Sequence, residues 1–309
     1  MSKPFRHAVS AFAASLFAIA CTLGQSHDAH AQNAADSGAL TVAPGSAASS
    51  DPALVPMTEI AGQTYADLVD LALASPVVVR AVVHRQVRLK PEESPGVAPG
   101  FVRLYIEADT TALLIGPPLG ESLRFLADVR LDPNGKVPRL NKTQVLLFGN
   151  AATGKPGELQ LTASDTMFAW SPELDARVRA ILTELVGGNA PPRVTGLREA
   201  LHVPGNLVGE GESQFFLATD SGKPVSISVV RRPGEPPRWG VSFSEIVDQA
   251  AQPPRPDTLA WYRLACSMPP AVPERAAISS TGADKRAAAE DYALVLRELG
   301  PCRRNRGSN

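Results

Sequence analysis

Histidine and cysteine are scarce in this chain, with five and three among 309 residues. That scarcity restricts the chemistry available. Removal of residues 1–31, argued below, leaves only His84 and His202. Neither has a cysteine or carboxylate at ligand spacing, whereas a zinc site needs three or four converging ligands. A surplus of either charge is also missing, since 30 basic and 31 acidic side chains give a net charge of −1. Nucleic acid is therefore not an expected partner, because phosphate binding needs a basic excess on one face. The nucleophile elbow Gly-x-Ser-x-Gly is absent, as Gly211-Glu-Ser213-Gln-Phe215 lacks its last glycine. Beyond the N-terminus no run is long and apolar enough to span a bilayer.

What the N-terminus does contain is the pattern of an export signal. Lys3 and Arg6 form a positive n-region, Ala8 to Leu23 is an uncharged apolar run, and Ala29-His30-Ala31 offers small residues for signal peptidase. A signal peptide over 1–31 is expected. Ala18-Ile19-Ala20-Cys21 loosely matches a lipobox, so the alternative to a soluble periplasmic or secreted protein is a lipoprotein anchored through Cys21. Cleavage takes away Lys3, Arg6 and Asp28, which hardly alters the charge balance. It also reduces the cysteines to Cys266 and Cys302, and an even pair in an exported chain reads as a disulfide. Residues 32–57 are rich in Ala, Ser, Gly and Pro without apolar period, so a disordered linker is expected there.

Order should begin at Thr64, with Tyr65, Leu68, Val69 and Ala72 on one face of a helix ended by Ser75-Pro76. Five strand patterns follow: 76–89, 101–116, 122–132, 143–150 and 157–163. Between the last two lies Gly149-Asn-Ala-Ala-Thr-Gly154-Lys155, most of a phosphate-binding loop. Pro156 stands where the Mg²⁺-binding hydroxyl belongs, and Gly157 stops any helix from propagating. The segment reads as a strand connection, so no nucleotide and no other cofactor is expected. Over 58–165 this succession suits a small antiparallel β-barrel. With its opening "VVVRAVV" and later "VLLF" it resembles secreted OB-like modules, which implies a five-stranded, nearly closed sheet.

Ser171 and Pro172 then start a helix over 171–187, with Leu174, Val178, Ile181 and Leu182 in one stripe. Residues 190–303 read as a three-stranded meander (213–219, 224–232, 238–247) followed by two helices. One is capped by Asp257 and one runs over 284–299. Cys266–Cys302 would tie this helical pair together. Residues 304–309, with Arg303-Arg304-Asn305-Arg306, read as a solvated tail. The segments "GEGESQFFLATDSGKPVSISVVRRPG" and "PPRPDTLAWYRLACSMP" resemble exported bacterial proteins, a likeness that implies export and paired cysteines but no activity. "SQFF" is similar to a strand of the cyclophilin proline isomerases, although their Phe-His-Arg and Gln-Gly-Gly-Asp motifs are missing.

The expected fold class is thus α+β. Arg231, Arg232, Arg238 and Trp239 gather around one turn, where guanidinium forks and an aromatic face suit an anion or a polar glycan. The competing arrangement is a charged hairpin end with the tryptophan turned inward. Glu210/Glu212 and Glu290/Asp291 are acid pairs of the kind glycosidases use, but they fall on expected turn or helix surface. With no converging catalytic set, the expectation is a non-catalytic binding or envelope-associated module, its partner an envelope component or another periplasmic protein. The alternative is a periplasmic hydrolase or isomerase with a site between the two β regions.

Overall fold

A computed structural model describes residues 61–243 and 251–307. The expected signal peptide (1–31, with Cys21), the linker (32–57) and the last residues of the third meander strand lie outside the described residues. Thr64 opens the first helix, α1 (Tyr65–Ala74), through a reciprocal capping box with Asp67. Tyr65, Leu68, Val69 and Ala72 are buried as their spacing predicts.

The first sheet contains β1 (Val77–Arg88), β2 (Phe101–Ile115), β3 (Ser122–Arg130), β4 (Gln144–Ala151), β5 (Leu159–Leu161) and β6 (Met167–Ala169). Its order is β3-β2-β1-β4-β5, with β6 also pairing β4, and every named pair is antiparallel. The apolar runs in β1 and β4 arise because both faces are covered. Val77, Val79, Val145 and Leu147 point into a core enclosed by this sheet, while Val78, Leu146 and Phe148 enter a second core. The sheet curls until β3 approaches β5. There Arg124 N donates to Gly157 O (2.7 Å) and Asp128 N to Ser164 O (2.7 Å), beside a single parallel bridge, Arg124↔Glu158. No continuous ladder joins these edges, so the expected small barrel is not closed among the described residues.

Helix α2 (Pro172–Val186) follows, its Ser171 side chain accepting from Leu174 N (3.2 Å). The second sheet has four strands rather than three, in the order β10-β9-β8-β7. They are β7 (Val194–Pro204), β8 (Gly211–Thr219), β9 (Val225–Arg231) and β10 (Arg238–Ser242). The additional strand, β7, carries register shifts at Val194/Gly196 and Leu197/Glu199, and these bulges break the period-two pattern that would reveal it.

Helices α3 (Leu259–Ala265) and α4 (Gly282–Leu299) complete the body. Thr258, not Asp257, caps α3. The disulfide Cys266–Cys302 joins the end of α3 to the chain just beyond α4, and Trp261 Nε1 donates to Leu299 O (2.8 Å). Side chains of α1, α2, α3, α4 and both sheets share one core, so 58–165 and 190–303 are not separately packed.

The C-terminal arginines also depart from expectation. Thr64 Oγ1 lies 2.9 Å from Arg303 O, and Asp67 accepts from the backbone N–H groups of Asn305 (3.0 Å) and Arg306 (3.1 Å). Arg304 and Arg306 pair with Asp70 and Asp165, each at 2.6 Å or less. A helix N-terminus and three carboxylates therefore hold a run that reads as solvated by composition alone.

Candidate functional site

The last turn of α1, the Pro191-Pro192 entry to β7, the β8–β9 turn, α3 and the C-terminal run surround a cleft of about 770 Å³. Each element brings polar groups. Asp70 comes from α1, Arg193 from the β7 entry, Asp220 and Lys223 from the turn, Tyr262 and Arg263 from α3, and Arg304 from the C-terminus. Four cations thus face two carboxylates.

Asp70 is already engaged. Arg304 Nε donates to its Oδ2 (2.6 Å), and the Tyr262 hydroxyl donates to its Oδ1. Burial, then the bond to Asp70, pushes the Tyr262 phenol up to about 12, so it remains a neutral donor across the physiological range. Arg304 also donates from Nη1 to Cys302 Sγ (3.0 Å), which couples the disulfide to this wall.

Arg263 is different. α3 reads "LAWYRLA", and this arginine is the one charged residue among seven. Its neighbours Leu259, Trp261 and Leu264 are core, which leaves Arg263 only 9% exposed. Its Nε has no hydrogen-bond partner, and it enters no salt bridge among the described residues. Burial lowers the affinity of this guanidinium for its proton below the ordinary value, with Tyr262 and Asp220 opposing that and Arg193 adding to it.

A second polar cluster lies under β7, β8 and α4. Ser213 Oγ donates to Asp291 Oδ2 (2.5 Å) and lies 2.9 Å from His202 Nδ1, while Arg231 Nε donates to Asp291 Oδ1 (2.5 Å). These are the residue types of a hydrolytic triad wired in another order. A nucleophilic serine gives its proton to histidine and faces substrate. Here the hydroxyl gives its proton to the carboxylate, and both Ser213 and Asp291 have no exposed surface. The cluster is a fully buried carboxylate ion-paired to a part-exposed arginine, and it fastens α4 to β8 and β9. Asp291 is correspondingly not the solvated helix residue its position suggests.

Of the residues singled out from sequence, Arg231 is spent on Asp291, and Trp239 is buried with its Nε1 donating to Glu298 Oε2 (2.6 Å). Arg232 is exposed, and Arg238 lies 3.4 Å from Glu235 on the hairpin end. The turn therefore does not bring the four together on one surface. His84 sits on the outer face of the first sheet between Glu107 (3.5 Å) and Asp109 (3.1 Å). Neither histidine lines the cleft. Lys155, from the phosphate-loop-like segment, pairs with Glu158 in the β4–β5 connection. Phe215 of "SQFF" is core, packed edge-on against Tyr292 at 5.3 Å.

No protein-family model matches the chain, and no curated protein matches its sequence. The cleft residues escape sequence reading because they come from opposite ends of the chain. One signal was available: a lone arginine inside an otherwise apolar helical run.

Proposed function

We propose that this is an exported, periplasmic binding module without catalytic activity, which holds a small ligand in the cleft between α1, α3 and the β8–β9 turn. The observation that carries this reading is the separation of cavity from nucleophile. The cleft has the volume of a small-molecule site, roughly 300–1,000 Å³, and several polar groups converge on it. Among the described residues, the Ser213-His202-Asp291 grouping has its serine and carboxylate fully buried and is wired against attack. An enzyme using His84 or His202 would need one of them in the cleft, and both lie elsewhere.

Export is supported by the leader sequence and by the disulfide, a bond that persists in oxidising compartments. No helix among the described residues is long and apolar enough to cross a membrane. The first sheet is read as OB-like. Its antiparallel strand order and the parallel bridge from β3 to Glu158, just before β5, support that reading, since an OB-fold is a five-stranded, partly open barrel.

Two experiments test the proposal. Fractionation with N-terminal sequencing should find the mature chain in the periplasm beginning at Gln32, whereas a lipidated Cys21 would replace the soluble form with an anchored one. Purified protein should show no hydrolysis of ester, peptide or glycan substrates and no proline isomerisation. An activity abolished by Ser213→Ala would overturn the non-catalytic reading.

A further inference from the structure

Resting on the reading of the cleft as a ligand site, we infer that its ligand carries an oxyanion, a phosphate or carboxylate group, and that Arg263 is the deep group that receives it. The inference starts from charge accounting inside the cavity. Asp70 is saturated by Arg304 and Tyr262, so it leaves little to offset other cations. Asp220 is then the one remaining carboxylate of the lining, facing Arg193, Lys223 and Arg263. None of these three cations enters a salt bridge among the described residues.

An arginine buried to this degree is ordinarily paired, because an uncompensated interior charge is costly. Arg263 is more than nine-tenths buried, lines the cavity, and keeps an unsatisfied Nε. The guanidinium fork is suited to two oxygens of one phosphate or carboxylate, and it makes shorter, stronger bonds to them than to neutral acceptors. Such a group would pair with the guanidinium, which otherwise has the Tyr262 ring beside it at 5.8 Å, with Lys223 on the exposed β8–β9 turn as a second, point-like cation. The neutral Tyr262 hydroxyl is committed to Asp70, which fixes the wall against which the ligand would sit.

The test uses the disulfide-intact chain and follows thermal unfolding while inorganic phosphate or citrate is titrated in at constant ionic strength, with chloride as the balancing anion and trehalose as an uncharged probe. Both oxyanions should raise Tm saturably. Arg263→Met keeps the length of the stem and removes the charge. Without ligand its Tm should rise by about 2–4 °C, the scale of relieving roughly one unit of unfavourable energy in a body of this size, and its response to phosphate and citrate should vanish. Lys223→Ala, on an exposed turn, should leave Tm unchanged and weaken oxyanion affinity about tenfold, the loss of one ionic hydrogen bond.

An Arg263→Met chain that melts lower and still responds like the parent would overturn the inference, as would unchanged affinity in Lys223→Ala. The latter arm serves even where Arg263→Met does not fold. Saturable binding of trehalose without any response to the oxyanions would sink the oxyanion assignment and leave the binding-module reading standing. An enzymatic activity would remove that reading instead. Sedimentation with phosphatidylglycerol but not phosphatidylcholine vesicles, lost in Arg263→Met, would support the assignment with a lipid headgroup as the phosphate source; a response to free phosphate alone supports it with a soluble one.

Discussion

Asp67→Asn tests how the C-terminal run is held. The Asp67 carboxylate is 1% exposed and enters no salt bridge among the described residues. Its Oδ2 accepts from Thr64 N (2.9 Å), from Asn305 N (3.0 Å) and from the Thr64 hydroxyl (2.8 Å), and Oδ1 accepts from Arg306 N (3.1 Å). An asparagine can keep its oxygen on the three-donor side, but its NH₂ then confronts the Arg306 N–H. One charge-assisted bond is lost outright, worth about 1.5–3 kcal/mol, and the others drop to neutral strength. A net loss of about 3 kcal/mol is expected, or roughly 6–12 °C in Tm. Acid provides a second readout. Burial alone would raise the Asp67 pKa, but the N–H groups of Asn305, Thr64 and Arg306 hold it below the usual carboxylate range. A depressed folded-state pKa contributes stability that is complete above the unfolded value of about 3.9, and that stability is lost as pH falls through the folded value. Below about pH 4 the parent should therefore lose stability more steeply than Asp67→Asn. The assay is thermal melting between neutral and acidic pH, with hydrogen exchange at Asn305 and Arg306. Equal melting of the two proteins, with unprotected amides in the parent, would refute the docking argument.

Further predictions concern other joints of the fold. Cys302→Ser removes a cross-link spanning 36 residues, for which the chain-entropy relation gives about 4 kcal/mol; alkylation of two thiols in the native protein would show that no such bond exists. Ser213→Ala leaves one oxygen of the buried Asp291 with only His202 beside it, so chemical denaturation should show a loss of about 1–3 kcal/mol, and an unchanged midpoint would contradict the buried-network account. Gly149→Ala would bring a Cβ to 2.4 Å from the Gln160 carbonyl oxygen. The β4–β5 pairing should then open and Tm should fall, which exchange of the Gln160 and Leu161 amides would register.

Much of the fold is legible where a local rule acts alone. The starts of α1 and α2 can be read from Thr64 and from Ser171-Pro172, because capping depends on residues three apart. The β1 and β4 runs are equally plain, since two covered faces demand continuous apolar residues. Strand β7 is hidden because its two bulges move Leu197 and Ala200 out of alternation. Arg303 to Arg306 reads as solvent-exposed because composition is blind to a receptor site 234 residues earlier. The four residues around the Arg231–Trp239 turn are neighbours in sequence, but strand alternation sends Arg231 and Trp239 inward to Asp291 and Glu298. The cleft fails to show for the converse reason: its members are distant in sequence and only Arg263 is locally anomalous.

The docking of Asn305 and Arg306 onto the start of α1 has a consequence for the order of assembly. The cleft draws one wall from the first described helix and another from the last described residues, so no contiguous half of the chain contains it. Contacts of such wide sequence separation form late, after the shorter-range strand pairings have met their loop-closure cost. During refolding the strand signal should recover first and cleft occupancy last. Ligand capture would then serve as a clock for the final step of folding, and a nicked or truncated chain could keep both sheets yet have no ability to bind.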